Sequence, residues 1–306
     1  MNYKKYFLFF VIFLFFLVYS IIGETLEKKF EKTIDFKKSG TIYLKSIVGD
    51  IEVKSWENEK VEVKALIQVK SEEESQKLLD EIKILINTTD DRVEIEVDYP
   101  EKEENRSFWD LLFGGKKHEF RISFWLTVPK ISNLDMNTTN GEINIYDIEG
   151  KVFSKSTNGS IQLENISGNT ELRTTNGSVN TKNVIGDIDV KTTNGKIVIS
   201  NIEGNVVART TNGEILVDIL KSIKEKIMNF RTTNGSVTLN LVKDINADLD
   251  AKLTNGKIYT DFPILVKGEI SKNSVSGKIN NGGPLIYIRT TNGEIKILES
   301  KTSEKK

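Results

Sequence analysis

The sequence predicts an all-β fold, a single-stranded parallel β-solenoid (β-helix) with coils of about 18–22 residues and a small α+β excursion near its N-terminus. Three observations predict it. Asn-Gly recurs with its glycines at 141, 159, 177, 195 and 213, in four successive steps of 18, then at 235, 256 and 293, with Ser276-Gly277 in the remaining gap. Apolar or small residues stand 2, 4, 7, 11 and 13 places after each regular glycine and a second glycine nine places after it, as in Gly195, Ile197, Ile199, Ile202, Gly204, Val206 and Ala208. The same template opens far upstream, at Gly40, Ile42, Leu44, Ile47, Gly49, Ile51 and Val53. Period-two alternation broken at tight corners marks short strands, and helical spacing is nowhere kept in the repeats. A lone coil exposes both strand edges and cannot bury its apolar row, so it must stack on its copies about 4.8 Å apart. Nine registers then give a rod of about 40 Å. The hand of parallel crossovers favours a right-handed coil.

Residues 1–23 read as an address rather than as part of the fold. Lys4 and Lys5 precede an uncharged run of 17 residues, Tyr6 to Ile22, before Glu24. The run fits a secretory signal cleaved after Ser20 or Gly23, and it also sits at the lower length limit of a membrane anchor. Residues 24–136 hold the first coil and the excursion from about Trp56 to Pro129. Within the excursion, Val61 to Val69, Val93 to Tyr99 and Phe120 to Val128 alternate as strands. A helix is predicted from an N-cap at Ser71 through about Leu85, with Glu72, Glu73 and Glu74 in its first turn and Leu78, Leu79, Ile82 and Leu85 as its apolar stripe. A solenoid needs a cap on its first open edge, and this excursion is the candidate.

Residues 137–300 are the repeats, followed by a charged tail, 301–306. Counting back from each glycine keeps the inward pattern through the longer coils, as at Thr232, Phe230 and Met228 before Gly235, with extra residues around Lys221 to Lys226 bulging at a corner. Lys272 alone breaks the pattern, in the coil before Gly277. Asn and Gly tolerate positive φ, so the pair suits a sharp corner, and stacked asparagines can bond up the rod as a ladder.

Composition limits the chemistry. The chain has 306 residues, 43 Lys plus Arg against 44 Asp plus Glu, one His and no Cys. No whole-chain charge favours nucleic acid, and thiol nucleophiles, imidazole dyads, thiolate metal sites and multi-His ligand sets lack their residues. No cofactor, metal or catalytic residue is expected. An Asn-Gly corner differs from the Gly-Gly-x-Gly-x-Asp pattern of calcium-binding repeats.

Two surface features are candidate contacts. Four residues before the repeat glycines stand Lys155, Arg173, Lys191, Arg209, Arg231, Lys252 and Arg289, with Asn137 and Asn273 at the same register; stacking aligns them into a basic stripe for a polyanion. Glu171, Asp189 and Asp250 lie two residues before Arg173, Lys191 and Lys252, which predicts partial self-pairing of a solvated face. A threonine row, Thr139, Thr157, Thr175, Thr193, Thr211, Thr233, Thr254 and Thr291, runs beside the stripe. The second feature is Phe108, Trp109, Leu111, Leu112 and Phe113, set between acidic and basic residues, which reads as a partner or membrane contact or as apolar cover for the end of the rod.

The segment Gly-x-Ile-x-Leu-x-x-Ile-x-Gly-Asp-Ile-x-Val-x-x-Trp from Gly40 to Trp56, the strand ending in Val128-Pro129 and the Thr-Thr-Asn-Gly coils resemble the bacterial putative-adhesin family of β-strand-repeat proteins, an adhesin-like domain of unknown function, from about residue 36 to 299. The resemblance implies a non-catalytic protein of the cell envelope, periplasmic, at the surface or secreted, some relatives being tied to envelope stress. An anionic glycan, wall polymer or membrane surface is the partner class this reading favours. A self-assembling envelope scaffold and a polysaccharide-active enzyme are the other classes weighed; the acids Asp147, Asp187 and Asp218 stand at unequal registers, unlike an enzyme's clustered carboxylates.

Overall fold

The computed structural model describes residues 19–22, 25–70, 75–99, 120–219, 227–266 and 271–300. Among them the chain forms two sheets of 13 strands each, closed over a single apolar core. Each coil gives one strand to each sheet. In the coil turning at Gly159, Val152–Lys155 lies in the second sheet and Ile161–Ser167 in the first. Inward residues keep the predicted alternation. Val152, Ile161, Leu163 and Ile166 are buried, as are their equivalents in the next coil, Thr170, Val179, Thr181 and Val184. Each fully buried Ile, Val or Leu contributes about 1.5–3 kcal/mol, so these inward rows dominate stability.

The Asn-Gly corners stack in one column. Asn158 Nδ2 donates to Asn140 Oδ1 at 2.7 Å, and Asn176, Asn194 and Asn212 each donate to the asparagine below at 2.8 Å. The glycine of each corner is required by contact between coils. A Cβ built on Gly159, Gly177 or Gly195 would lie 1.8, 2.1 or 1.9 Å from the carbonyl oxygen of the glycine one coil below. Positive φ, the reason expected from the sequence, is absent from Gly141 through Gly213 in this column. The first threonine of Thr-Thr-Asn-Gly bonds to that same carbonyl: Thr174, Thr192 and Thr232 each donate to the glycine oxygen one coil below at 3.0 Å.

A second ladder lies on the other side of the rod. Asn165, Asn183 and Asn201 have φ of 59°, 56° and 57°, and each donates its amide to the residue below, starting from Asp147, at 2.8, 2.8 and 2.6 Å. These residues stand six places after the corner glycines, where asparagine tolerates the left-handed turn that separates the apolar positions at plus 4 and plus 7.

Spatial order departs from chain order at the C-terminal end. Ladder bridges run from Asn140 through Asn234 and then to Asn292, and Asn255 donates to Asn292 Oδ1 at 2.8 Å from the outer side. The last coil, Leu285–Asn292 with Ile295–Glu299, thus lies between the Gly235 coil and the Gly256 coil in both sheets. Ser276-Gly277 does not fill a register. It belongs to Ser274–Ile279, which runs antiparallel to both Ala247–Asn255 and Ile264–Val266. Lys272 breaks the inward pattern because this segment leaves the parallel stack. With Gly49 at the start, the column still holds nine glycines, 49, 141, 159, 177, 195, 213, 235, 293 and 256. Eight steps of about 4.8 Å make it about 38 Å long.

The excursion extends both sheets past the first coil. Phe120–Pro129 pairs parallel with Ile51–Trp56, then Lys60–Lys70 and Thr25–Asp35 follow antiparallel, with Tyr19–Ile22 at the edge. In the second sheet Arg92–Asp98 pairs parallel with Thr41–Lys45, and Lys83–Thr88 follows antiparallel. Tyr99 joins this layer to the first corner, its hydroxyl accepting the Ile47 N–H at 2.8 Å, and burial raises the phenol's pKa. The helix is shorter than the sequence pattern predicted. It spans Ser75–Glu81 and buries Leu78 and Leu79, with Ile82 buried just beyond it, whereas Leu85 falls in the strand Lys83–Thr88 and is 45% exposed. The expected cap at Ser71 lies outside the described residues. Lys28 closes the helix from the neighbouring strand, donating to the carbonyls of Leu79 and Ile82 at 3.1 Å each; desolvation lowers its pKa while Asp80 opposes the shift.

Candidate binding surface

Strands of the second sheet turn alternate residues outward, and register carries equivalent positions onto one line. Lys155, Arg173, Lys191, Arg209, Arg231, Arg289 and Lys252 follow one another in that order, each in register with the next. The threaded last coil completes the line, because Arg289 sits between Arg231 and Lys252. Seven cations one strand apart cover about 29 Å, and each neighbouring pair repels by about 1 kcal/mol even at water's dielectric. At the N-terminal end the line continues through Asn137 to Lys45, four residues before Gly49, which the sequence reading omitted although the same count would have found it. Asn273 does not belong to the line, since its segment is antiparallel.

Acids match only part of this charge. Arg173 binds Glu171 at 3.1 Å and Asp189 at 2.9 Å, Asp189 also reaches Arg209 at 3.5 Å, and Arg289 binds Asp250 at 2.6 Å. The pairs expected within one strand, Asp189 with Lys191 and Asp250 with Lys252, do not form. In-register neighbours on adjacent strands are about 4.8 Å apart and residues two apart on one strand about 6.6 Å, so the arginine fork reaches a carboxylate in the next coil first. Lys155, Lys191, Arg231 and Lys252 make no ion pair with the described residues. Tyr287 adds a contact that the sequence did not signal. Its ring centroid lies 3.8 Å from the Arg289 guanidinium and 4.8 Å from that of Arg231, a cation–π contact with each.

Beside the line runs an open groove of about 790 Å³, lined by Phe153, Val207 and Ile227 together with Glu171 and Asp189. The threonine row is exposed or half-exposed, as expected. Among the described residues no three His, Asp or Glu side chains converge as a metal site would require. Phe108, Trp109, Leu111, Leu112 and Phe113 lie outside the described residues, as does most of the apolar run 6–22. No helix among the described residues is long and apolar enough to cross a membrane.

The paired strands and glycine columns span the whole stretch that matches one family model, described as Toastrack DUF4097, over residues 41–298. The chain belongs to this family. A comparison with curated proteins found no match. Among solved structures the chain is similar to a "putative adhesin" from Bacteroides fragilis, at 13% identity and a TM-score of 0.48 over 88% of this chain and 97% of that one. A "putative adhesin" from Parabacteroides distasonis is similar at 14% identity and a TM-score of 0.37, over 88% and 97%. A "putative lipid binding protein" from the same species follows at 9% identity and a TM-score of 0.35, over 88% and 96%. No residue of the cation line is assigned from these similarities. Family membership agrees with the resemblance read from Gly40–Trp56 and the Thr-Thr-Asn-Gly coils.

Proposed function

We propose that this protein is a non-catalytic binding module of the cell envelope, exported from the cytoplasm, and that it lays an extended polyanion, an anionic glycan or wall polymer, along the outer face of its second sheet. The unbroken line from Lys155 to Lys252 carries this reading. Self-pairing alone would match each cation to an acid, yet the acids hold Arg173, Arg209 and Arg289 in place and leave Lys155, Lys191, Arg231 and Lys252 without an ion pair among the described residues. A linear, evenly spaced row of charge complements a linear, repeating anion better than a compact one. The adjoining groove offers Phe153 and Val207 to the apolar faces of such a chain. The self-assembly reading is less favoured, because the second sheet ends in the three-residue antiparallel strand Ile264–Val266 and the first in the three-residue strand Ile258–Thr260.

The test uses inorganic polyphosphate and heparin as probes over a salt series. Binding weakens steeply with salt. Lys191→Glu with Arg231→Glu lowers affinity by about tenfold or more and flattens the salt dependence. Lys29→Glu with Lys32→Glu, the same charge change on the N-terminal antiparallel strand, has a much smaller effect. Equal losses in the two double variants, or affinity that ignores salt, would reject the cation line as the contact; preference for anionic vesicles over both polymers would instead assign it to a membrane surface.

A further inference from the structure

We propose that Asn255-Gly256 is a site of spontaneous deamidation, set apart from the other seven Asn-Gly corners of the column by its place at the column's end, and from the ninth Asn-Gly of the chain, Asn281-Gly282 outside the column, by the bond that holds the Gly282 N–H to Ile279 O at 3.0 Å. In this reaction the Gly256 amide nitrogen loses its proton to a solvent base and attacks Asn255 Cγ. An N–Cγ bond forms, the Cγ–Nδ2 bond breaks, ammonia leaves, and a succinimide remains. Water then opens the ring at Cγ to give aspartate, or at the main-chain carbonyl carbon to give isoaspartate. The first step needs a glycine N–H that solvent can reach and an asparagine side chain free to swing toward it.

Stacking denies both to seven corners. Gly141, Gly159, Gly177, Gly195, Gly213, Gly235 and Gly293 each donate their N–H to the main-chain oxygen of the asparagine in the next coil, at 2.9–3.1 Å. The seven matching asparagines each accept at Oδ1 the side-chain amide of the same next coil. Gly256 has no coil beyond it. Among the described residues its N–H makes no hydrogen bond and Asn255 Oδ1 accepts none, and both residues are exposed. Among the described residues Asn255 is tethered by its Nδ2 bond to Asn292 Oδ1, by the Gly293 N–H at its main-chain oxygen and by the pairing of its strand.

The product weakens what lies beneath it. A carboxylate at position 255 loses the bond to Asn292 and faces an acceptor oxygen, and an isoaspartyl link adds a backbone atom to Ala247–Asn255. As that strand loosens, Gly293 loses the Asn255 oxygen that engages its N–H, so Asn292-Gly293 becomes the next corner to react. Modification thus advances in spatial order, 255 then 292 then 234, and not in chain order.

The experiment incubates the full chain in mildly alkaline buffer, with isoaspartate and aspartate at each corner followed over time by peptide mapping and mass spectrometry. Asn255 is expected to convert about tenfold faster than any other corner, with Asn292 next, because the rest react only after the stack opens locally. In denaturant all eight corners convert at comparable rates, and Asn255→Gln abolishes the early product in the folded chain. Equal rates across the folded chain, a fastest reaction at Asn292 or Asn140, or an inert Asn255 while the denatured chain reacts would each overturn the proposal.

Discussion

Replacing Gly195 by alanine is expected to destabilise the protein by about 4 kcal/mol or more, at the upper end of what a single methyl group does. The added Cβ would lie 1.9 Å from Gly177 O and 2.6 Å from Gly177 C, with Ser178 N at 3.1 Å. Every one of these atoms is backbone, so no side chain can rotate away. The coils must separate, and separation also strains the Asn194 to Asn176 amide bond and the bond from Thr192 to the Gly177 carbonyl. Because each coil touches only its neighbours, a break at mid-rod divides the stack into two halves that no longer support each other. Asn194→Ala, which removes ladder bonds without adding volume, should lose only about 1–2 kcal/mol. Urea denaturation of the two variants beside the wild type measures both shifts, and a loss for Gly195→Ala no larger than for Asn194→Ala would contradict the contact between coils.

Phe230→Ala should cost about 3–5 kcal/mol. Phe230 is fully buried, and its in-register neighbours in the second sheet are Ala208 below and Ile288 above. The small Ala208 makes room for the ring. Neither neighbour is long enough to fill the space it would leave, so the cavity persists and its volume adds to the lost transfer energy. Phe230→Leu, which keeps most of the volume, should cost well under half as much. Thermal unfolding of the three proteins checks the ranking, and near-equal midpoints would mean that the site collapses.

The sequence and the structure agree where a physical requirement repeats. Column glycines cannot bear a side chain and inward positions are nearly all apolar, the buried hydroxyls of Ser154 and Thr181 being small exceptions without a partner, so both recur at fixed spacing and could be read directly. The order of the last coils could not be read that way. Every coil presents the same faces, so Leu285–Glu299 fits between the Gly235 and Gly256 coils as well as it would fit outside them. The signal that remained was a breach of pattern, Lys272 at an inward position and Ser276 in place of asparagine, in a segment that turns antiparallel. The helix was overextended for a related reason. Leu78, Ile82 and Leu85 keep helical spacing, but Ile84 and Ile86 also alternate, and pairing with Arg92–Asp98 decides for a strand. In the cation line, position followed from counting, whereas partners did not, since the acid that reaches each arginine depends on which coil lies beside it. Asp189, bonded to both Arg173 and Arg209, is the clearest case.

Stacked columns with the last coil threaded inward are best tested by cysteine pairs in the cation line, since the chain has no cysteine of its own. Adjacent in-register positions lie about 4.8 Å apart, within reach of a disulfide, and positions two strands apart lie about 9.6 Å apart, beyond it. Mild oxidation of Arg231→Cys with Arg289→Cys, and of Arg289→Cys with Lys252→Cys, should therefore yield the cross-linked chain, while Arg231→Cys with Lys252→Cys should stay reduced. Ready cross-linking of the 231 and 252 pair, with both pairs through 289 remaining as free thiols, would show that the coils follow chain order and that the cation line is not assembled in this way.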